Sequence, residues 1–336
     1  MLHRLYEYKA ALGAILCRRS RLVNFIKSNF ERNKDVLHSM PYVLHIEPAG
    51  NLCNLRCPLC PVGNFELDRE KGLMKFEVFE EIVNQMDDSV FYIIFSGWGE
   101  PLVNKDLFRM IRLARERKIF CKMFTNATYL TAENIRALLE SGINVIRCSY
   151  DGIAAESYLK YRVGGDYNAI MKNFDNLKKI KEELKSDVLV ELQFVVMKHN
   201  YHEIKEFKKL AKSFGFVPLI KNAFITHTDQ AEEWLPDDEK YRRYGKDIAE
   251  KAELEAKKFD FCHAPWQNLF ILWNGEVTAC CAKAKPAYMF GKTSQNIKEY
   301  WNSAPYQALR KGMLSNNRRN IGYCKGCSTA QERFLL

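Results

Sequence analysis

From Val43 onward, short β-rich runs alternate with segments that carry apolar residues at helical spacing, and this alternation restricts the fold more than any other feature. Repeated βα units predict a parallel sheet with helices outside it. Six units are too few for a closed eight-stranded barrel. The predicted strands are Val43 to Glu47, Val90 to Ser96, Phe120 to Thr125, Val145 to Ser149, Val188 to Met197 and Phe216 to Asn222. The predicted helices are Lys75 to Met86, Leu107 to Arg117, Ala132 to Glu140, Tyr167 to Leu184 and Glu203 to Phe214.

A compact trio of cysteines follows the first predicted strand. Cys53, Cys57 and Cys60 lie in the run NLCNLRCPLCPV at a C-x3-C-x2-C spacing. A 4Fe-4S cluster held by protein alone takes four thiolates, and structural zinc takes four Cys or His ligands. Because no fourth ligand lies nearby, a cluster here would leave one iron open to a chelating small molecule. A zinc knuckle or a chance trio is the alternative interpretation.

This spacing, just after an apolar strand, resembles the radical S-adenosylmethionine (SAM) superfamily, whose open partial barrel also matches the six βα units. The resemblance runs from Val43 to Cys327. It implies an α/β fold, a partial (βα)6 TIM-like barrel in which the three cysteines hold a 4Fe-4S cluster. It also implies that SAM binds the open iron and is cleaved reductively to a 5'-deoxyadenosyl radical, which abstracts hydrogen from a substrate C–H bond.

Small and polar residues at the strand ends form the expected SAM site. The turn after the second strand contains Ser96, Gly97, Gly99 and Glu100, and it resembles the family's glycine-rich motif for the amino group of SAM. Arg162 resembles the arginine that meets the SAM carboxylate, which a guanidinium can bind through two parallel hydrogen bonds. Each of these residues is otherwise an ordinary turn or cap residue.

Further polar residues end the later strands. Asn126, Ser149 and Asp151 are placed to bond the ribose or methionyl group of SAM. Gln193 and Lys221 are expected to face inward and to point toward a substrate. Either residue could equally be a satisfied polar group of the barrel interior.

A second cysteine set occupies the C-terminal part of the chain. Cys262, Cys280, Cys324 and Cys327 are spaced C-x17-C-x43-C-x2-C, and a hairpin turn at Asn274 and Gly275 is predicted just before the second of them. The pattern resembles the twitch domain, a shortened relative of the SPASM domain, which implies one auxiliary 4Fe-4S cluster with full cysteine ligation. The further cysteines of a full SPASM domain do not follow, so a second auxiliary cluster is not expected. Structural zinc is the alternative.

Two neighbouring cysteines compete for one position in this set. The G-x4-C offset from Gly275 favours Cys280 as the ligand. Cys281 is then either a buried structural thiol or a hydrogen-atom donor to a substrate radical. The isolated Cys17, Cys121 and Cys148 lie in apolar surroundings and are expected to be core residues.

The N-terminal segment is basic and amphipathic. Residues 1–36 hold eight basic and three acidic side chains, within a chain whose formal net charge is +10. Such a segment could lie peripherally on an anionic membrane, or pack across the barrel with its charges solvated. No apolar run approaches the roughly 20 residues of a membrane span. The cluster-type cysteine spacing favours a cytoplasmic location, with membrane contact at the inner face as the further possibility.

The expected organisation has four parts: a basic helical segment 1–40, a barrel 41–228, a polar helical connector 229–258 and an auxiliary-cluster domain 259–336. Among twitch enzymes, the cysteine spacing is most similar to 2-deoxy-scyllo-inosamine dehydrogenase, which oxidises a secondary alcohol. The first hypothesis is therefore a radical SAM oxidoreductase that dehydrogenates a sugar-like or other polar small molecule, with the auxiliary cluster accepting an electron. The resemblance also implies flavodoxin or ferredoxin as electron donor.

Two other classes of function stay open. A peptide- or protein-modifying maturase or epimerase would use the same radical, although no leader-peptide-binding domain is recognisable before the barrel. A non-catalytic iron-sulfur electron carrier would have no need of a SAM pocket around Gly99 and Glu100. Nucleic acid is not an expected partner, because no interleaved aromatic and basic patch is present.

Overall fold

A nine-stranded mixed sheet runs through the computed structural model, which describes residues 2–86, 88–225, 227–250, 261–280, 289–294, 296–315, 321 and 324. The strands of the described residues are β1 (Val43–Ile46), β2 (Ala49–Gly50), β3 (Gly72–Leu73), β4 (Tyr92–Phe95), β5 (Phe120–Thr125), β6 (Val145–Ser149), β7 (Leu189–Val196), β8 (Val217–Asn222), β9 (Asn268–Ile271), β10 (Glu276–Thr278) and β11 (Gly291–Lys292). Their order in the sheet is β11-β10-β9-β1-β4-β5-β6-β7-β8, and β2 pairs with β3 in a separate ribbon.

The parallel α/β fold predicted from the βα alternation is confirmed. Neighbouring strands from β1 through β4 to β8 are all parallel, and these are the six strands predicted, four of them one to three residues shorter. Strand β9 was expected only as one arm of a hairpin. It also pairs in parallel with β1, and β10 folds back against it across the turn at Gly275, whose φ is +80°. The sheet therefore continues from the barrel into the C-terminal part of the chain.

Helices cover the outer face of the sheet. The helices of the described residues are α1 (Leu2–Leu16), α2 (Arg19–Phe30), α3 (Phe76–Met86), α4 (Leu107–Glu116), α5 (Ala132–Glu140), α6 (Ala155–Tyr161), α7 (Tyr167–Glu183), α8 (Ile204–Ser213), α9 (Ala231–Trp234), α10 (Ala264–Gln267), α11 (Ile297–Trp301) and α12 (Ala304–Leu314). The hydroxyl of Thr131 caps α5 by accepting from Asn134 N at 3.2 Å. Gly142 and Gly215 follow α5 and α8 in the left-handed region, which ends these helices.

Two features of the middle of the chain were not predicted. Helix α6 escaped the sequence analysis because it is only seven residues long and carries polar residues in its first turn. The connector was expected to be helical, but its described part, up to residue 250, holds only α9 and three short 3-10 turns, at Thr228–Gln230, Glu239–Tyr241 and Lys246–Glu250. Pro236 and Gly245 interrupt it, since neither residue continues a helix well. Residues 251–258 lie outside the described part of the chain.

Alternate side chains of the strands serve two different layers. Residues such as Leu44, Ile46, Ile93 and Phe95 pack against the outer helices in the main hydrophobic core. The side chains between them face the barrel interior, and those at the starts of the strands form a separate apolar layer. The members of that layer are Tyr42, Val43, Phe91, Tyr92, Phe120 and Val145.

Helix α1 closes the barrel at the starts of its strands. Ala11, Ala14 and Ile15 are buried against this apolar layer. Arg21 of α2 is also buried, and its guanidinium donates to the carbonyl oxygens of Arg117 and Lys118. One face of the N-terminal segment therefore packs across the barrel, as one of the two interpretations held. Within the described residues, no helix has both the length and the apolar character that crossing a membrane requires.

Candidate active site

The N-terminal cysteine trio lies on the loop that follows β2, and each sulfur faces nitrogen donors. A backbone amide two residues on lies 3.4 Å from Cys53 Sγ, and Arg162 Nη1 lies 3.6 Å from Cys57 Sγ. Cys60 Sγ accepts from the backbone amides two and three residues further on. Burial raises the pKa of all three thiols, and these donors act against it.

This set of donors suits an iron-sulfur cluster. N–H groups directed at sulfur favour the thiolate form in which cysteine binds iron. Within the described ranges, no three Cys, His, Asp or Glu side chains converge closely enough to hold a single metal ion. A cluster offers each thiolate a separate iron, so its ligands need not meet at one point. The N–H donors at all three sulfurs therefore suit the iron-sulfur cluster expected from the sequence.

The glycine-rich turn after β4 lies directly against the cysteine loop. Asn51 N donates to Trp98 O at 2.6 Å, and Glu100 N donates to Leu52 O at 2.8 Å. A Cβ on Gly99 would lie 2.2 Å from the carbonyl oxygen of Ala49, so no larger residue fits. Ser96, Gly97 and Gly99 are therefore brought beside the trio, as the sequence predicted.

Glu100 is buried beneath this turn and organises its neighbours. One carboxylate oxygen accepts from Thr125 Oγ1 at 2.7 Å and from Leu102 N at 3.1 Å, and the other accepts from Asn126 N at 2.7 Å. Burial raises the pKa of Glu100, while these donors act to lower it. Asn126 in turn directs its amide nitrogen toward Cys53 Sγ, 3.5 Å away. A direct contact between Glu100 and SAM stays a prediction.

Asp151 and Arg162 form a buried pair on the other side of the trio. Arg162 Nε donates to Asp151 Oδ2 at 2.7 Å, and Val195 N donates to Asp151 Oδ1 at 2.6 Å. Burial works against the charged guanidinium, but the carboxylate more than offsets it and raises the pKa of Arg162. The side chain is thereby held with Nη1 toward Cys57. The predicted contact of Arg162 with the SAM carboxylate is untested.

The barrel interior beside this site is polar. Ser149 and Gln193 are paired in register on β6 and β7, and within the described residues neither side chain has a hydrogen-bond partner. Lys221 on β8 has no ion pair in the same part of the chain. It is exposed at the open edge of the sheet, yet burial of its ammonium and the nearby Arg147 lower its pKa. These three residues can therefore contact a ligand, as expected from the sequence.

A charged network under this region was not predicted. Glu191 Oε2 lies 2.6 Å from Arg147 Nε and 3.0 Å from Lys122 Nζ, and Lys122 also pairs with Glu7 of α1. Burial opposes the ionised carboxylate, but the two cations outweigh it and lower the pKa of Glu191 to about 2. The sequence signal for this network was a single charged residue at an inward-facing position in each of the apolar strands β5, β6 and β7.

A second unpredicted cluster joins the cysteine loop to the C-terminal hairpin. Glu47, at the end of β1, accepts from Arg69 Nη1 and from Trp98 N, each at 3.0 Å. The indole of Trp273 lies flat on the β2–β3 ribbon, where a Cβ on Gly50 or Gly72 would come within about 2 Å of it. The sequence signal was a pair of glycines flanking the cysteine trio, but nothing in it identified Trp273 as their partner.

The second cysteine set is partly within the described chain. Cys262, Cys280 and Cys324 are all partly buried against the main core. Cys281 and Cys327 lie outside the described residues, so the choice between Cys280 and Cys281 stays a prediction. No disulfide joins the cysteines of the described ranges.

Two family models match this chain. Residues 48–211 match the radical SAM superfamily, and residues 262–328 match the SPASM iron-sulfur cluster-binding domain. PqqA peptide cyclase from Bradyrhizobium diazoefficiens is 28% identical over 155 residues, which cover 46% of this chain and 39% of the cyclase. This chain therefore spans about two fifths of that relative. The tungsten-containing aldehyde ferredoxin oxidoreductase cofactor-modifying protein from Pyrococcus furiosus is 25% identical over 292 residues, covering 77% of this chain and 80% of that protein.

Solved structures share the fold at low identity. BtrN in complex with AdoMet and 2-DOIA superposes with a TM-score of 0.57 and 16% identity, over 89% of this chain and 98% of BtrN. Streptococcus suis SuiB bound to S-adenosylmethionine gives a TM-score of 0.62 and 18% identity, over 84% of this chain and 70% of SuiB. By its matches to the two family models, the chain carries a radical SAM domain, which implies a 4Fe-4S cluster and SAM, and a SPASM domain, which implies auxiliary iron-sulfur clusters.

Proposed function

We propose that this radical SAM enzyme removes hydrogen from a C–H bond of a polar, sugar-like small molecule and oxidises it by two electrons. The single observation that carries the proposal is the polar barrel interior beside the cysteine trio, where Gln193 and Lys221 have no hydrogen-bond or ion-pair partner within the described residues. A hydroxylated substrate would supply those partners. The cofactors, when bound, supply the one-electron chemistry.

The chain's own residues hold and orient these groups. Cys53, Cys57 and Cys60 hold the cluster in this proposal, and the absence of a side chain at Gly99 lets the turn pack directly against the backbone that leads into the cysteine loop. The remaining SAM contacts fall to residues already held in place by hydrogen bonds or strand register. They are Ser96, Gly97, Glu100, Asn126, Ser149, Asp151 and Arg162.

The charges of the barrel interior favour a substrate that carries an anionic group. Lys122 and Arg147 share Glu191 and Glu7, whereas Lys221 has no ion pair within the described chain and is attracted by Glu191 only at longer range. Three cations thus face two carboxylates, and a carboxylate or phosphate on the substrate would balance the third. Gln193 would then orient a substrate hydroxyl.

The auxiliary cluster site would accept the electron that the substrate radical loses in the oxidation. Cys262, Cys280, Cys324 and Cys327 hold one 4Fe-4S cluster in this proposal, and full cysteine ligation would leave it free to accept an electron rather than bind substrate. Cys281 would donate a hydrogen atom if the net reaction were an epimerisation instead. A flavodoxin or ferredoxin in the cytoplasm would supply the reducing electron.

Transfer of deuterium tests the proposed reaction. Anaerobic protein would be incubated with SAM, a reductant and polyols or sugar acids deuterated at carbinol carbons. We expect deuterium in 5'-deoxyadenosine and one ketone or aldehyde per SAM consumed. Lys221→Met should weaken transfer from an acidic substrate by about tenfold or more, because a charge-assisted hydrogen bond is lost. Lys205→Met on the outer helix α8 is the matched control.

Absence of label from every such substrate would contradict the oxidation proposal. Equal activity of wild type and Lys221→Met toward acidic substrates would contradict the anion contact while leaving the oxidation intact.

Peptide modification is the second candidate, and the names of relatives favour it. Several of the most similar curated proteins are called PqqA peptide cyclases. The same assay separates the candidates when it is run with peptides deuterated at Cα and Cβ positions. Label from a peptide and none from a polyol would favour a maturase or an epimerase.

A further inference from the structure

We propose that helices α1 and α2 dock the enzyme on an anionic lipid surface, through the face opposite to the one that closes the barrel. We call this the docking face. Its apolar members are Leu12, Leu16, Val23, Ile26 and Phe30, and its basic members are Lys9, Arg19, Lys27 and Arg32.

Exposed apolar side chains are concentrated in these two helices. Of the twelve large hydrophobic residues exposed in the described chain, seven lie within residues 1–36. Leu16 is 58% exposed and Phe30 is 76% exposed. Tyr8, Leu12 and Leu16 follow one another at four-residue intervals on α1, so they share one face. Exposed apolar groups clustered in this way mark an interaction surface rather than scattered surface residues.

The basic residues of the docking face outnumber the acidic ones beside it, of which Asp88 accepts from Ser20 Oγ at 3.3 Å. The three acidic residues of the segment are engaged elsewhere: Glu7 pairs with Lys122, Glu31 accepts from two backbone amides, and Asp35 pairs with Lys311. The exposed basic residues have no ion pair within the described part of the chain. They are Lys9, Arg19, Lys27, Arg32 and Lys34.

A lipid surface suits this combination better than a second copy of the chain does. Anionic headgroups attract the basic side chains, while the apolar stripes enter the boundary between headgroups and acyl chains. Two copies packed through this face would bring like charges together. An acidic protein partner would also match the basic residues of the docking face. A binding assay with vesicles that contain no other protein excludes that explanation.

The position of the docking face is compatible with catalysis. The buried side of α1 covers the starts of the barrel strands, whereas the cysteine trio follows the end of β1. The two sites therefore lie at opposite ends of the barrel. An enzyme docked through α1 and α2 would keep its cofactor site directed away from the lipid.

Vesicle flotation tests this proposal with the full, iron-loaded chain. Phosphatidylcholine vesicles would be compared with vesicles that also contain phosphatidylglycerol, at low and high salt. We expect binding to the anionic vesicles alone, and weaker binding at high salt. Arg19→Ser with Lys27→Ser should lower the partition coefficient by about an order of magnitude or more, because each basic residue near the surface contributes.

Matched control variants show whether a loss of vesicle binding is specific to the docking face. Lys205→Ser with Lys208→Ser removes two exposed charges from α8 and should leave binding unchanged. Ile26→Gln with Phe30→Ser should reduce binding, whereas Leu314→Gln should not. Helix content and iron content equal to those of the wild type show that each variant is folded.

Several outcomes would overturn the proposal. They are no flotation with anionic vesicles at low salt, equal binding to neutral vesicles, or equal loss in the α8 control. A concentration-dependent dimer that the Ile26 and Phe30 changes dissociate, without vesicle binding, would assign the face to a second copy instead.

Discussion

At the residue scale, the charges inside the barrel are balanced by a few specific pairs. Glu191 neutralises both Lys122 and Arg147, which lie on neighbouring strands. Loss of this shared carboxylate would leave Arg147 without an ion pair within the described residues, while Lys122 would keep only Glu7. The periodicity of the strands predicted that these positions face inward, but it could not predict how their charges pair, because pairing depends on strand register.

Glu191→Gln should lower the free energy of unfolding by about 3 kcal/mol, since it leaves the largely buried Arg147 without its counter-charge and removes one of the two partners of Lys122. Denaturant titration of the anaerobic protein measures the effect. Glu183→Gln is the matched control: it removes the partner of Arg136 in an exposed pair and should change stability by less than about 1 kcal/mol. Equal effects of the two changes would refute the assigned role of Glu191.

His45 should make stability depend on pH. Its ring stacks on Phe270 with centroids 5.5 Å apart, and burial lowers its pKa from 6.5 to about 4. The unfolded chain therefore binds more protons between these values, and stability should be full above pH about 6.5 and fall as the pH drops toward about 4. His45→Gln should flatten this decline in urea titrations, whereas His202→Gln at the surface should not.

At the element scale, the elements that the sequence predicted are those with strong periodicity. The six barrel strands and five long helices carry enough apolar residues at regular spacing to define them, and local caps at Thr131 and Gly142 fix their ends. The short helix α6 and the two-residue strands β2 and β3 lack that spacing. They exist because of contacts made across the molecule, so no local pattern could indicate them.

The same limit applied to the site. The trio at Cys53, Cys57 and Cys60 and the turn at Gly99 were identified from spacing, and the structure brings them together. The burial of Glu100 and its hydrogen bond from Asn126 N could not be predicted from the sequence, because the two residues follow the ends of different strands.

The β2–β3 ribbon should be intolerant of side chains. Gly72→Ala would place a methyl group about 2 Å from the Trp273 indole, and the resulting overpacking should cost about 1 to 3 kcal/mol. Hydrogen exchange should show faster opening of β9 and β10. Gly13→Ala is the matched control, since nothing lies within 4 Å of its added Cβ and helix α1 should be stabilised slightly. Unchanged exchange in Gly72→Ala would contradict the role given to this contact.

At the scale of the whole molecule, two iron sites are distributed over one continuous sheet. Anaerobically reconstituted protein should contain about eight irons, four for each cluster. Cys57→Ala and Cys262→Ala should each lose about half of them, and only Cys57→Ala should also abolish SAM cleavage. Cys121→Ala, in the core of β5, is the matched control and should retain all of the iron. Four irons with one zinc would rule out an electron-accepting auxiliary site.

The packing of Trp273 on two glycines predicts how these three positions should vary among related chains. The indole comes from the C-terminal part of the chain, while Gly50 and Gly72 come from the segment that surrounds the cysteine trio. A gene rearrangement that exchanged one part alone would leave either a cavity or a steric clash where Trp273 packs on the two glycines. We expect that related chains keep the tryptophan and both glycines together or lose all three. A comparison of related sequences would then show whether the segment around the cysteine trio and the C-terminal part were inherited together.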